Sequence, residues 1–510
     1  MNKKKVKLKG NLLNLLVFFS TLTLAALKDH KVDPGMTQIW GPGLQPQKFV
    51  MPARYFFIQA RNSNNKSIPH SIQDDFQISI EAGKNQFSER PCRVWPNILD
   101  RKGGSLIVRY KLEEQCSHLT INIKHENKHV GSSPYVINEN VLPEDCYCPR
   151  NDLQDLLDSW QCGSIPKQLL SDLEPFGTID WSVMREKVIK QFHKPHSVSI
   201  CHYVIKNNKL YRKCYGKYVD FNTFSDSILL SIIRKAKLPD LEFFINLGDW
   251  PLSLKHLNEK YPILSWCGST DSFDIVMPTY ELTQASLENM GRVMLDMLSV
   301  QGNVELPWEE REPKLFWRGR DSNQYRLDLI TMAREVPDLF NVSLTNFFFY
   351  RDKEDIYGPK TDHVSFFKFS NYKYQLAIDG TVAPYRTPFL LGGGSLVFKP
   401  HSKYYEYFYN DLVPNTHYIP VKTDLTDLVD KLLWAKKHDR EAKIIAENGR
   451  QFANENLLPQ HIFCYHMHLL NELNKRIVSK VEILEGMEVV SHKKDVPCDC
   501  VGLEKAKDEL

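Results

Sequence analysis

Three clusters in this 510-residue sequence hold residue types that can do group-transfer chemistry. The first is LEFFINLGDWPL. Its apolar run, Leu241 to Leu247, ends in Gly248-Asp249-Trp250-Pro251. Asp249 is thereby expected at the carboxyl end of a buried strand, where open α/β sheets build their sites. A carboxylate there can take the proton of a hydroxyl. It can equally be a turn aspartate that accepts from nearby backbone N–H groups, a common role beside Gly and Pro. The second cluster is LFWRGRDSNQYRLDLI, residues 315–330. A short strand, Leu315 to Trp317, precedes a helix expected to start near Asp321, and Asp321 and Gln324 have capping-box spacing. Arg318, Arg320 and Arg326 surround that start. Arginines beside free N–H groups can hold a diphosphate, or they can pair with acids such as those of WEERE at 308–312. The third cluster is 372–400, YKYQLAIDGTVAPYRTPFLLGGGSLVFKP. An apolar run from Gln375 to Ile378, a polar turn at Asp379-Gly380-Thr381, a helix-length apolar piece, a stop at Gly392–Gly394 and a second apolar run from Leu396 spell a βαβ unit. The corner of such a unit favours a phosphate, and Arg386 adds a permanently charged planar fork. The alternative is an ordinary crossover in which Arg386 caps a carboxylate.

The elements that must position these residues fall into two textures. Residues 34–137 read as all-β. ARYFFIQA, DDFQISIEA, GSLIVRYKL and LTINIKHENKHV read as alternating apolar and polar, separated by Gly, Asn and Pro, the pattern of a β-sandwich. Residues 138–165 form a connector bearing cysteines and prolines. From 166 to about 475, helical patterns such as DSILLSIIRKA alternate with short apolar runs, which predicts α/β structure with mainly parallel strands. LTDLVDKLLWAKK, EAKIIAENGRQFANENL and HIFCYHMHLLNELNKRI carry three-four apolar spacing to the end of that region. About three hundred residues of this kind suit two Rossmann-like lobes with a cleft between them.

The chain ends bound the compartment. Residues 1–26 combine a basic start, MNKKKVKLKG, with an apolar stretch, NLLNLLVFFSTLTLAA, that closes in small residues. That is the pattern of a secretory signal peptide. A signal anchor is the competing reading, but the apolar stretch is short for a spanning helix, so cleavage near Ala26 is expected. No later segment is long and apolar enough to span a membrane. The last four residues, Lys507, Asp508, Glu509 and Leu510, spell KDEL, a receptor-read retention address. A soluble protein of the endoplasmic reticulum lumen, bound by the KDEL receptor, is expected. Loss of the five lysines in the first ten residues takes the formal charge from +3 to −2, so the basicity gives no argument for nucleic acid. Eleven cysteines in an oxidising lumen imply disulfides and at least one unpaired thiol. Cys92 and Cys116 can pair within the first domain. Cys146, Cys148 and Cys162 with Cys498 and Cys500 read as staples at the edges of a large domain, their connectivity open. The CxC pairs have no histidine nearby to complete a zinc site. Asn65 and Asn341 head N-glycosylation sequons. The sequence has no Asp-x-Asp, Walker loop, GxSxG elbow or HExxH.

The first domain resembles a filamin-type immunoglobulin-like repeat. The resemblance rests on GPGL near its start, the GGSLIVRY strand and the ending HVGSSPYVI. Modules of this kind bind partners or orient another domain. Residues 166–490, with the flanking cysteines, resemble the catalytic domain of the protein O-glucosyltransferases. INLGDWP, SWCGSTDSFDIVMPTY, FWRGRDS, NFFFY, IDGTVAPYR, HYIPVKTDL and WAKKHDREAK carry that resemblance, and the signal peptide, filamin-like repeat and KDEL end are similar to the KDEL-bearing branch. The resemblance implies a multidomain chain: a β-sandwich followed by an α/β GT-B glycosyltransferase. It implies inverting, metal-independent transfer of glucose, possibly xylose, from a UDP-sugar. The acceptor would be a serine hydroxyl on folded EGF-like repeats of Notch-type and extracellular matrix proteins.

The resemblance also implies roles for residues. Asp249 falls on the catalytic base. Arg326 falls on a donor-binding arginine, and Thr381, Val382, Ala383, Pro384, Tyr385 and Arg386 fall on the loop that wraps the donor. Arg320 stands where another branch has a donor-contacting serine. Val219, Asp220, Phe221, Asn222 and Thr223 fall on an acceptor-binding loop that a disulfide closes in that branch and that Tyr218 and Phe224 flank here. Pro384 stands where relatives have Ala or Ser. Two other readings fit part of the pattern: a lumenal client-binding protein or chaperone with an inactive transferase domain, and a nucleotide-sugar hydrolase.

Overall fold

The computed structural model describes residues 31–85, 90–287, 290, 295–492 and 496–500. The signal peptide and the KDEL residues lie outside them. Two sheets form the amino-terminal sandwich. One runs β1 (Gln38–Trp40), β2 (Arg54–Gln59), β5 (Ser105–Leu112), β4 (Val94–Asp100). The other pairs β3 (Phe76–Ala82) with β6 (Leu119–His125), which also pairs β7 (Lys128–His129) and β8 (Tyr135–Ile137). Strand β4 escapes the sequence pattern because Pro96 interrupts it. The fold accommodates a residue without an N–H there because β4 is an edge strand, bonded only to β5.

Strands β2 and β5 do not alternate as expected; both are buried along nearly their whole length. The reason is tertiary. Phe56, Ile58, Leu106 and Val108 fill the sandwich interior, while Tyr55, Phe57 and Ile107 turn the other way into one continuous core with Leu153, Trp160 and the following lobe. The sandwich is thereby packed onto the next domain over a largely apolar face. Arg109, itself buried, crosses that face. Its Nη1 donates to both carboxylate oxygens of Asp296 at 3.3 and 3.2 Å and to Ser299 Oγ at 3.0 Å. Asp296 in turn accepts from the amides of Leu298 and Ser299 and so caps the helix Met297–Gly302.

The next lobe is built on a six-stranded sheet in the order β14 (Ile275–Val276), β12 (Ile263–Ser265), β11 (Leu241–Asn246), β9 (Ile200–Lys206), β10 (Lys209–Tyr215), β21 (Glu488–Val490). Only β11, β12 and β14 run parallel; β9 is antiparallel to β11 and to β10. The expectation of mainly parallel strands fails here because β9 and β10 are a hairpin. Its two-residue turn is Asn207-Asn208, both at positive φ (50° and 56°), the geometry that asparagine tolerates in a tight hairpin. The expectation holds in the other lobe, a five-stranded parallel sheet ordered β16 (Phe340–Asn346), β15 (Glu312–Arg320), β17 (Tyr372–Leu376), β18 (Leu396–Pro400), β20 (Ile419–Val421). A separate core fills it. The helix Pro459–Asn474 returns to the first lobe, where Phe463, Met467 and Leu470 join its core. Two lobes of sheet and helix with a returning carboxyl-terminal helix are the GT-B architecture.

Disulfides close the connections. Cys92 pairs with Cys116, Cys146 with Cys498, Cys148 with Cys500, Cys162 with Cys464, and Cys201 with Cys214 across the β9–β10 hairpin; Cys267 is the free thiol. The connector therefore carries both the carboxyl-terminal segment and the returning helix. Among the described residues no helix is long and apolar enough to cross a membrane. Asn65 is exposed at a turn. Asn341 lies in β16, where its amide Nδ2 donates to Tyr372 Oη and its Oδ1 accepts from Arg318, so a glycan there would compete with the Tyr372 contact.

Removing one partner of a buried ion pair strands the other charge and costs about 3–5 kcal/mol. Arg109→Ala is therefore expected to lower the thermal unfolding midpoint and to speed protease cleavage in the connector, measured by calorimetry and limited proteolysis.

Candidate functional site

Asp249 sits just beyond the carboxyl end of β11, as its sequence context predicts. The turn around it is held by another residue. Asn246 Oδ1 accepts from Gly248 N at 2.9 Å and Asn246 Nδ2 donates to Trp250 O at 2.7 Å. Asp274, fully buried, accepts from Leu252 N and Ser253 N and fixes the chain beyond. The local backbone N–H work that a turn aspartate would do thus falls to Asn246. The Asp249 carboxylate makes no hydrogen bond to the described residues. Burial pushes its pKa up, and nearby Arg320 pulls it down. A half-buried carboxylate with unoccupied lone pairs and raised basicity is equipped to accept a proton.

The arginine cluster sorts into different jobs. The helix after β15 is Gln324–Glu335, and its cap is Asn323, whose Oδ1 accepts from Arg326 N. The expected capping box at Asp321 and Gln324 is absent. Asp321 is fully buried instead and accepts from the amides of Phe348, Phe349 and Tyr350 at 2.7, 2.9 and 2.6 Å, fixing the loop after β16. Arg318 turns to β16, donating to Asn341 O and Oδ1. Arg326 is buried. Its Nε donates to Asp379 O, Nη1 to Arg320 O and Ser322 Oγ, and Nη2 to Ile378 O. Four of five guanidinium N–H groups are thereby engaged. Burial, helped by nearby Arg386, lowers its pKa to about 9. Asn323 Nδ2 reaches the same loop, donating to Asp379 O and Gly380 O. Gly380 is what admits Arg326 so closely, since a Cβ there would stand 3.1 Å from Nη2. Arg320 is exposed.

Residues 378–386 form the turn between β17 and the helix Thr387–Gly392, a βαβ unit as read from the sequence. Val382, Ala383, Pro384 and Tyr385 are buried, and Thr381 and Arg386 are half-buried. Pro384 is accommodated: its carbonyl accepts from Thr387 N and Oγ1. Arg386 Nη1 donates to Arg318 O at 2.6 Å, at the mouth of β15. Tyr385 crosses to the first lobe, its hydroxyl donating to Asp249 O at 3.4 Å. The loop thus links the second lobe's sheet to the turn that holds Asp249.

Tyr280, at the start of the helix Tyr280–Leu287, gathers the remaining parts. Its ring lies 5.7 Å from Tyr385, 4.8 Å from Phe221 and 5.5 Å from Phe224. The segment Val219–Thr223 is brought beside the cleft in this way. Phe221, Asp220 and Thr223 are exposed, and Asn222 begins the helix Asn222–Lys235. Phe224 packs on Tyr280, and Tyr218 stays exposed under Lys217. Two residues of the site escape sequence reasoning: Asn246 and Asn323. Both lie inside the singled-out motifs, and their side-chain types were the available signal. Behind the loop Glu406 is fully buried, neither oxygen in a well-formed hydrogen bond among the described residues, and burial raises its pKa well above the carboxylate range.

The glycosyl transferase family 90 model matches residues 158–508, and the filamin/ABP280 repeat model matches residues 31–136. Protein O-glucosyltransferase 2 of Danio rerio is 46% identical over 478 residues, which cover 93% of this chain and 94% of that protein. Protein O-glucosyltransferase 3 of Homo sapiens is 40% identical over 496 residues, 96% of this chain and 97% of that protein.

Each amide that loses a buried carboxylate acceptor costs roughly 1–3 kcal/mol. Asp321→Ala is therefore expected to raise hydrogen exchange at Phe348, Phe349 and Tyr350 selectively, as read by mass spectrometry.

Proposed function

As a member of glycosyl transferase family 90, and within it of the protein O-glucosyltransferases, the chain is a sugar-nucleotide-dependent glycosyltransferase acting on protein. From that premise we propose that it transfers glucose, or xylose in its place, from a UDP-sugar to a serine hydroxyl of folded EGF-like repeats. The anomeric carbon inverts, and no metal takes part. The observation that carries the reading is the Asp249 carboxylate, without a hydrogen bond among the described residues and facing Arg320, on a turn whose main-chain carbonyl accepts from Tyr385 of the Arg386 loop.

In this reaction the serine oxygen attacks the sugar's anomeric carbon from the face opposite the diphosphate. Asp249 takes the serine proton as the new carbon–oxygen bond forms. The bond from the anomeric carbon to the phosphate oxygen breaks, and UDP departs with its electron pair. Arg386 meets the negative charge that develops, with Arg326 fixing the loop behind it through its bonds to Asp379 and Ile378. Thr381 to Tyr385 wrap the donor. Val219 to Thr223, with Phe221 exposed beside Tyr280, receive the acceptor repeat. The place of action is the endoplasmic reticulum lumen, with Lys507–Leu510 read by the KDEL receptor. Five disulfides agree with folding in an oxidising compartment.

The direct test is incubation of the purified protein with UDP-glucose or UDP-xylose and a folded EGF-like repeat, read as added mass on the repeat. Transfer is expected, with Asp249→Asn slower by roughly 10²–10⁴-fold; transfer unchanged in that variant would overturn the mechanism. Asp249 must be ionised to act, so kcat/KM falls as pH drops through its raised pKa. Arg320 favours the ionised form. Arg320→Ala is therefore expected to move the acid limb of the pH profile to higher pH.

A further inference from the structure

The amino-terminal sandwich, the connector and the first lobe meet at a pocket away from the cleft. Lys48, Arg150, Trp160, Arg234 and Lys235 line it, and the Cys146 and Cys148 disulfides form part of its wall. It holds about 340 Å³ of empty space, part of it open to solvent. Backbone bonds fix the arrangement. Cys148 N donates to Arg234 O at 3.0 Å and Arg150 N to Lys235 O at 2.8 Å, so the connector runs alongside the end of the helix Asn222–Lys235. From the other side Arg54, fully buried, donates to Leu142 O and Pro46 O and ties the segment that carries Lys48 to the connector. The Val219–Thr223 segment meets the opposite end of the same helix, about 18 Å away at 1.5 Å per residue.

The walls of this pocket offer donors in excess. Glu144 accepts from Arg234 Nη2 at 3.0 Å and from Lys235 Nζ at 2.7 Å. Asp145 is exposed and stands 4.0 Å from Arg234. Asp155 acts on Arg150 electrostatically, but neither Arg150 nor Lys48 makes a side-chain hydrogen bond among the described residues. Arg234 Nε and the indole N–H of Trp160 are buried without an acceptor, and Trp160 is 0% exposed. A helix end carries partial negative charge, which accounts for Arg234 and Lys235. Lys48 and Arg150 come from other segments and have no such reason to converge there. Burial, with Arg234 and Arg54 close by, lowers the Lys235 pKa to about 8 in spite of Glu144. The pocket is short of negative charge. Buried donors are nearly always matched, so a pocket walled by unmatched N–H groups and cations marks a place for an acceptor-rich anion.

We propose that this pocket is a second ligand site, which binds a small oxyanion of the phosphate or sulfate class through Arg150, Arg234, Lys48 and the Trp160 N–H. Guanidinium groups meet such oxygens with parallel N–H groups, and the Lys48 ammonium adds a point charge at the mouth. The ion bridges the approach to β2, the connector and the helix end, and so its binding stabilises the junction of sandwich and first lobe.

The test titrates inorganic phosphate into the full-length protein by calorimetry, with chloride holding the ionic strength constant. It compares the wild type, the double variant Lys48→Met/Arg150→Met, and Arg386→Ala as the control for the cleft. Saturable binding is expected in the wild type, weaker by roughly 10–100-fold in the double variant, the span of charge-assisted hydrogen bonds. Arg386→Ala is expected to stay within about threefold of the wild type. No saturable binding by the wild type overturns the proposal, and so does a double variant that binds within threefold of it. Weakening in Arg386→Ala equal to that in the double variant overturns it too, because the ion would then sit in the cleft. The unfolding midpoint without phosphate gives a second readout. The double variant is expected to unfold no lower than the wild type, since two uncompensated cations are gone. A lowered midpoint would overturn the proposal, because lost affinity would then follow from a damaged junction. The titration involves no sugar transfer, so its outcome is independent of the reaction proposed above.

Discussion

The second lobe's share of the site depends on one guanidinium. Arg326 lies buried between two turns that belong to different βα units, and it donates to carbonyls in both. Backbone carbonyls at the ends of parallel strands point into the cleft and would otherwise repel one another and any anion. A cation seated among them satisfies them and leaves positive charge at the ends of those strands. Asn323 reinforces the link by capping the helix with one end and holding Asp379 and Gly380 with the other. Gly380 leaves the space that this arrangement requires. The loop that follows therefore starts from a fixed base, and Arg386 returns to Arg318 to close it.

The first lobe solves a different problem, which is to keep a carboxylate reactive. A turn aspartate is ordinarily consumed by nearby amides. Here Asn246 takes that work, and Asp274 secures the next segment, so Asp249 retains free lone pairs at raised basicity. Tyr280 then ties the two lobes at the cleft, with Phe221 and Phe224 on one flank and Tyr385 on the other. Ring contacts of this kind are each worth about 0.5–1.5 kcal/mol beyond area burial. That is enough to set loop positions while leaving them able to respond to a ligand.

The amino-terminal sandwich is part of the same solid body. Tyr55, Phe57 and Ile107 belong to the first lobe's core, and the Arg109–Asp296 pair caps a helix of the catalytic region from the sandwich side. An ion pair across such a face adds orientation more than net stability, since desolvation offsets most of its attraction. The sandwich consequently presents its outer surface at a fixed angle to the cleft. Disulfides from the connector to Cys464, Cys498 and Cys500 fix the other end of the chain to the same body.

The sequence by itself determined the order of domains, the βαβ unit at 372–400, the strand that delivers Asp249 and the family to which the motifs belong. Those features are local: apolar period, turn residues and the position of a polar residue at a strand end are all written within a dozen residues. It also contained the Asn207-Asn208 hairpin turn, a local signal that was there to be read, and the Asn323 cap, which sits two residues from the acid expected in its place. Only the tertiary structure decided what each charge does. Arg318, Arg320 and Arg326 look alike in a string of letters, yet one pins a strand, one stands in solvent near Asp249 and one locks two loops. Strands β2 and β5 look like half-buried strands until a second domain covers their outer face. The reason is the range of the forces involved. Backbone geometry and hydrophobic period are set by near neighbours, whereas desolvation, charge pairing and hydrogen-bond saturation depend on groups that folding brings together from far apart in the chain.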